Sequence, residues 1–154
     1  MRVDSDLTCI KIYTIGFTKK TAEKFFTKLK KAGVKRIIDI RLNNKSQLAG
    51  FAKQDDLKYF LKALCDIEYV YIPALAPTKA ILEAYKKNQG NWSIYEKQFL
   101  ALMQERKIEN KFKADSFHQG CLLCSEDTPE HCHRRLVAEY LSDKWENIKI
   151  KHLV

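Results

Sequence analysis

The sequence predicts an α/β fold of three layers, α/β/α, built as a single domain around a mainly parallel sheet of about five strands. Three observations carry this. Short apolar runs rich in β-branched residues alternate with stretches whose apolar residues recur at spacings of three and four. Each parallel return needs a crossover, which the intervening helical stretches supply. The chain of 154 residues is long enough for one core and short for two.

Residues 1–8 read as a polar tail and 9–154 as the domain. Cys9 to Ile15 forms a first strand bounded by Gly16. Thr21 caps a helix whose apolar face is Ala22, Phe25, Phe26, Leu29 and Ala32, with Gly33 as its stop. Val34 to Ile40 has the β-branched content of a buried strand, and Asp39 and Arg41 stand at its end. Leu57, Phe60, Leu61 and Leu64 trace a second helix, and Ile67 to Ile72 a third strand. After Pro73 and Pro77, two helices over Ala80 to Tyr85 and Tyr95 to Met103 are separated by Asn88-Gln89-Gly90-Asn91. Residues 106–116 are mostly charged. Phe117 to Cys124 is a fourth strand, Pro129 to Asp143 the last long helix, and Ile148 to Val154 a fifth strand.

Composition excludes several classes. With 45% hydrophobic and 31% charged residues, 5 Gly and 3 Pro, the chain is neither collagen-like nor wholly disordered. No apolar run approaches the roughly 18 residues of a membrane helix, and Met1 to Thr8 lacks the pattern of a secretory signal. The expectation is a soluble, cytoplasmic protein with no membrane partner. A net charge of +9 admits a small anionic substrate or nucleic acid as partner. Lys20, Lys24, Lys28 and Lys31 recur on one side of the first helix, as a basic stripe or a solvated face. Five cysteines, an odd number, predict reduced thiols rather than a disulfide framework. Cofactor and oligomeric state are left unassigned.

In a parallel sheet, ligands collect beyond the carboxyl ends of the strands, here Gly16 to Thr18, Asp39 to Asn44, Pro73 to Thr78 and Cys124 to Thr128. Thr128 is a good N-cap and Pro129 suits the first helical position, so the last helix is expected to start there. His133 shares a face with Leu136, Val137, Tyr140 and Leu141 and aims toward the sheet. Cys132 lies near a helix N-terminus, where a thiol loses its proton more readily.

Cys132 and Cys124 are therefore candidate nucleophiles, and His133 and Glu126 candidate proton carriers. Arg41 and Arg134 are candidate anion holders, with Asp39 and Gly16 beside them as substrate-binding positions. The bland alternatives are packed cysteines, a hydrogen-bonded core histidine and a structural Asp39–Arg41 pair. No metal is assigned. Cys121 and Cys124 are an odd number of residues apart on a strand and point to opposite faces, although Cys124, Cys132 and His133 can still meet.

Thr14-Ile15-Gly16, Asp39-Ile40-Arg41, Leu75-Ala76-Pro77-Thr78, Leu122-Leu123-Cys124-Ser125-Glu126 and Cys132-His133-Arg134 together resemble the domain of unknown function 488 family from about Ile12 to Val154. The resemblance implies an α/β fold and a shared pocket lined by these motifs, and it implies no settled reaction. Asp39, Arg41, Cys124, Glu126, Cys132, His133 and Arg134 match motif positions. Phe17, Asn44 and Tyr71 stand where relatives often carry His, Pro and His, which weakens metal-dependent readings. The expected function is an enzyme acting on an anionic, nucleotide or nucleic-acid-related substrate. A non-catalytic nucleic-acid or nucleotide binding module and a zinc-stabilised fold are the alternatives.

Overall fold

A computed structural model describes residues 9–44, 50–126 and 128–154. The expected tail, 1–8, lies outside the described residues. Five strands form one sheet: β1 (Ile10–Gly16), β2 (Arg36–Asp39), β3 (Glu68–Tyr71), β4 (Gly120–Cys124) and β5 (Ile148–Leu153), in the order β3-β2-β4-β1-β5. Every pairing is parallel. The carboxyl ends of β1, β2 and β4 thus lie side by side, with Gly16 level with Cys124 and Asp39 level with Leu123.

Alternation along the strands divides the core into two layers. On one face, Ile12, Ile38, Ile40 and Leu122 pack with Phe99, Met103, Leu136 and Leu141. These come from α3 (Lys79–Lys87), α4 (Trp92–Arg106), the short α5 (Ile108–Lys111) and α6 (His133–Lys144), with α4 and α6 supplying most of the layer. On the other face, Ile15, Ile37, Cys121 and Leu123 pack with Phe25, Phe26 and Leu29 of α1 (Ala22–Ala32) and Leu57 of α2 (Gln54–Phe60). Cys121 is fully buried there, away from Cys124.

Local signals set most boundaries. Thr21 accepts a hydrogen bond from the Lys24 amide, and Gly33 closes α1 at φ 80°, a left-handed turn that glycine takes without penalty. Thr78 and Asn91 cap α3 and α4 through the amides of Ile81 and Ile94.

Several boundaries differ from expectation, two of them for a clear local reason. The fourth strand begins at Gly120 rather than Phe117, because residues Ala114–Phe117 coil into a tight 3-10 turn that buries Phe117. The last helix starts at His133, not Pro129. Thr128 bonds the Glu130 side chain instead of capping, and the Pro129 carbonyl accepts from the Cys132 amide as a turn. Cys132 becomes the N-cap, without a side-chain bond. Among the described residues, no helix is long and apolar enough to cross a membrane.

Candidate functional site

The β4 strand delivers Cys124 at its last position, and the turn after it returns the chain so that Cys132 and His133 open α6 directly above. His133 fixes this return. Its Nε2 lies 2.7 Å from the carbonyl oxygen of Ile40, just past the end of β2. A carbonyl only accepts, so Nε2 carries the proton, and the neutral ring turns the bare lone pair of Nδ1 toward Cys124 Sγ at 3.4 Å. Burial pushes the pKa of His133 down to about 4, against the opposing pull of the Ile40 carbonyl, so the neutral ring dominates near pH 7.

The sulfurs of Cys124 and Cys132 are in contact, the one departure from separate thiols. Cys9, Cys65 and Cys121 are free. Ligand atoms of Cys124, Cys132 and His133 all lie within 4.8 Å of one another, and all three residues are buried.

These three form the floor of a cavity of about 390 Å³, which Arg41 and Glu126 also border. Its far wall is aromatic, with Tyr85, Trp92, Tyr95 and His131. Three of these rings, Tyr95, Trp92 and His131, continue a column from Phe99, while Tyr85 meets it edge-on. Phe99 packs against His133, Tyr95 lies parallel to Phe99, Trp92 stacks on Tyr95 at 4.8 Å, and His131 stacks on Trp92 at 5.1 Å. The column runs from the core to the exposed ring of His131. Trp92 Nε1–H is buried with no hydrogen-bond partner among the described residues.

The remaining expected site residues are placed differently. Asp39 is fully buried and outside the cavity lining. Its carboxylate accepts from Arg41 Nε at 2.9 Å and Nη2 at 2.8 Å, from the Tyr69 hydroxyl at 2.5 Å and from Asn44 Nδ2 at 3.3 Å. Arg41 also donates to the Ala52 carbonyl, so it ties β2 to the segment that leads into α2. This is the structural pair that sequence reasoning held as its alternative. Burial, then the Asp39 carboxylate, pushes the Tyr69 phenol well above its ordinary range, so it stays a donor.

Arg134 is fully buried too. Its Nη1 donates to the Glu126 carbonyl at 2.6 Å and its Nε to Thr14 Oγ1 at 3.2 Å, so it clamps the β4–α6 loop to β1. Gly16 sits under that same loop, where a Cβ would fall 1.5 Å from the Glu126 carbonyl oxygen. The structure therefore brings Cys124, Glu126, Cys132, His133 and Arg41 to one cavity and keeps Asp39, Arg134 and Gly16 as its support.

Sequence reasoning missed the aromatic wall. Trp92, Tyr95 and Phe99 recur at spacings of three and four, which reads equally well as a core-facing stripe. Only the tertiary fold shows that the stripe continues through His131 into a cavity.

Fold and site define the class: an α/β protein with a crevice beyond the carboxyl edge of a parallel sheet, floored by two cysteines and a histidine. Residues 21–141 match the family model described as Domain of unknown function DUF488, and the chain belongs to that family. No curated protein and no solved structure matches it.

Proposed function

We propose that the chain is an enzyme acting on a nucleotide or nucleic-acid-related substrate that carries a flat ring. The observation that carries this is the pairing of one aromatic column with one reactive floor in a single cavity. A nucleobase extends the stack at the exposed His131 end, where base–aromatic stacking contributes about 1–3 kcal/mol. A cavity of this size lies within the range of small-molecule sites, about 300–1,000 Å³.

The groups that act on the bound ring are Cys124, Cys132 and His133, with Glu126 at the rim as the proton carrier. Cys124, rather than Cys132, is the sulfur that faces the His133 lone pair. Arg41 borders the cavity, but its guanidinium already serves Asp39 and Ala52, so stacking rather than charge provides the main grip.

Titration with a panel of nucleosides and nucleotides, followed by tryptophan fluorescence, tests the reading. Nucleosides should bind, His131→Ala should weaken them about tenfold, and ribose 5-phosphate should not bind. Equal binding of ribose phosphate, or no binding by any nucleoside, contradicts it.

A second reading has its own observation. Lys20, Lys24, Lys28 and Lys31 border one groove on the outer side of α1. If that groove carries the function, the protein is a nucleic-acid binding module. Its affinity would fall steeply with salt and be unchanged by Cys124→Ser.

A further inference from the structure

We infer that Cys124 Sγ, Cys132 Sγ and His133 Nδ1 are three ligands of a zinc ion or similar borderline divalent cation whose fourth position opens into the cavity. The location is that of the site proposed above, but the inference does not depend on the substrate class.

Three independent features converge on it. The first is the histidine. A ligating imidazole needs one bare nitrogen aimed at the ion and its other N–H held by an acceptor. His133 has both, with Nε2 on the Ile40 carbonyl and Nδ1 turned to Cys124 Sγ, and Cys132 Sγ within 4.8 Å.

The second is the spacing of the cysteines. Their Cα atoms stand 7.2 Å apart, while a relaxed disulfide holds them at about 4.4–6.8 Å. Two thiolates on one zinc, each about 2.3 Å from it, lie about 3.8 Å apart, and this asks less of the backbone. The third is charge. Two thiolates cancel the ion's double charge, so the loaded floor is neutral, as a buried position requires. Cys132 at the N-cap of α6 also favours the thiolate.

Structural zinc sites are closed by four protein ligands, while sites that do chemistry keep one position for water or substrate. Among the described residues three ligand groups converge here, and Cys121, the other cysteine of β4, faces the opposite core layer. The open position therefore faces the cavity, bordered by Glu126 and the aromatic wall. The parity argument from sequence excluded only Cys121 from an ion site and left Cys124, Cys132 and His133 able to meet, as the return of α6 brings them to do.

The test uses the full chain, reduced and stripped of metal, titrated with Zn²⁺ against a chromophoric chelator and separately with Co²⁺. The expected result is one ion per chain, with a cobalt spectrum showing sulfur-to-metal charge transfer. Cys124→Ser, Cys132→Ser and His133→Ala should each weaken binding by more than about 100-fold, since even losses around the ligands cost about 10–100-fold. Cys65→Ser should leave it unchanged.

A readout without mutants guards against misfolded variants: alkylation of the wild-type chain followed by mass mapping. Zinc should protect Cys124 and Cys132 and leave the labelling of Cys9 and Cys65 unaltered. Absence of stoichiometric uptake, a cobalt spectrum without the sulfur band, or protection confined to Cys9 or Cys65 overturns the inference. Ion uptake without nucleoside binding supports the ion site and removes the substrate reading. Nucleoside binding without ion uptake does the reverse.

Discussion

Gly16 and Glu126 meet so closely that the end of β1 has no room for a side chain: a Cβ on Gly16 would lie 1.5 Å from the Glu126 carbonyl oxygen and 2.8 Å from Arg134 Nη1. The same carbonyl accepts from Arg134, and the Ser125 carbonyl accepts from the Thr18 amide at 3.1 Å. The β4–α6 loop is thereby laid across the tip of β1, and that contact sets where Cys132 and His133 begin their helix.

Gly16→Ala must displace backbone rather than a flexible side chain. The expected cost is about 3 kcal/mol or more, with loss of nucleoside binding in whatever protein still folds. Chemical denaturation checks it. A change below about 0.5 kcal/mol would show that the loop is free to move.

Asp39→Asn tests the support beneath Arg41. The substitution leaves a buried guanidinium without its carboxylate, and breaking such a pair costs about 3–5 kcal/mol. Stability measured by denaturant titration should fall by that amount even with no ligand present. A variant as stable as wild type, impaired only in ligand binding, would instead place Asp39 among the groups that touch substrate.

Thr14 joins buried Arg134 and half-buried His152 through one hydroxyl. Its Oγ1 accepts from Arg134 Nε at 3.2 Å and is hydrogen-bonded to His152 Nδ1 at 2.6 Å. Thr14→Val removes both hydrogen bonds of the hydroxyl and should cost about 1–3 kcal/mol, whereas Thr14→Ser should restore most of it. A loss in Thr14→Ser without one in Thr14→Val would mean that the methyl group, not the hydroxyl, matters.

The His152 ring also gives a pH dependence. Burial, reinforced by the charge of Arg134, holds its pKa below the ordinary 6.5. The unfolded chain therefore takes up this proton first as pH falls. The contribution is complete above about pH 6.5 and is lost progressively as pH drops toward the lowered folded value. His152→Gln should flatten part of that decline in melting temperature. Parallel pH curves for variant and wild type would contradict it.

Much of this was legible in the chain. β-branched runs and three-four spacing locate the five strands and the principal helices, because burial on a parallel sheet leaves a strong periodic signal. The return of Cys132 and His133 onto the strand ends follows from the parallel order. What could not be read is long-range partnership. Nothing local tells whether the Arg41 fork meets a substrate phosphate or Asp39 two residues away, nor that Arg134 is spent on Thr14, 120 residues distant. The start of the last helix misled for a related reason: Thr128 and Pro129 carry a good local signal, and the pull of His133 toward Ile40 fixes a later one.

The central claim is that His133 stands neutral with its proton on Nε2, held by Ile40, and its Nδ1 lone pair facing Cys124 Sγ. Nitrogen-15 chemical shifts of the imidazole in the reduced full chain near pH 7 measure this directly. The account predicts a protonated Nε2 and an unprotonated, acceptor-type Nδ1; a proton on Nδ1, or a doubly protonated ring, would contradict it.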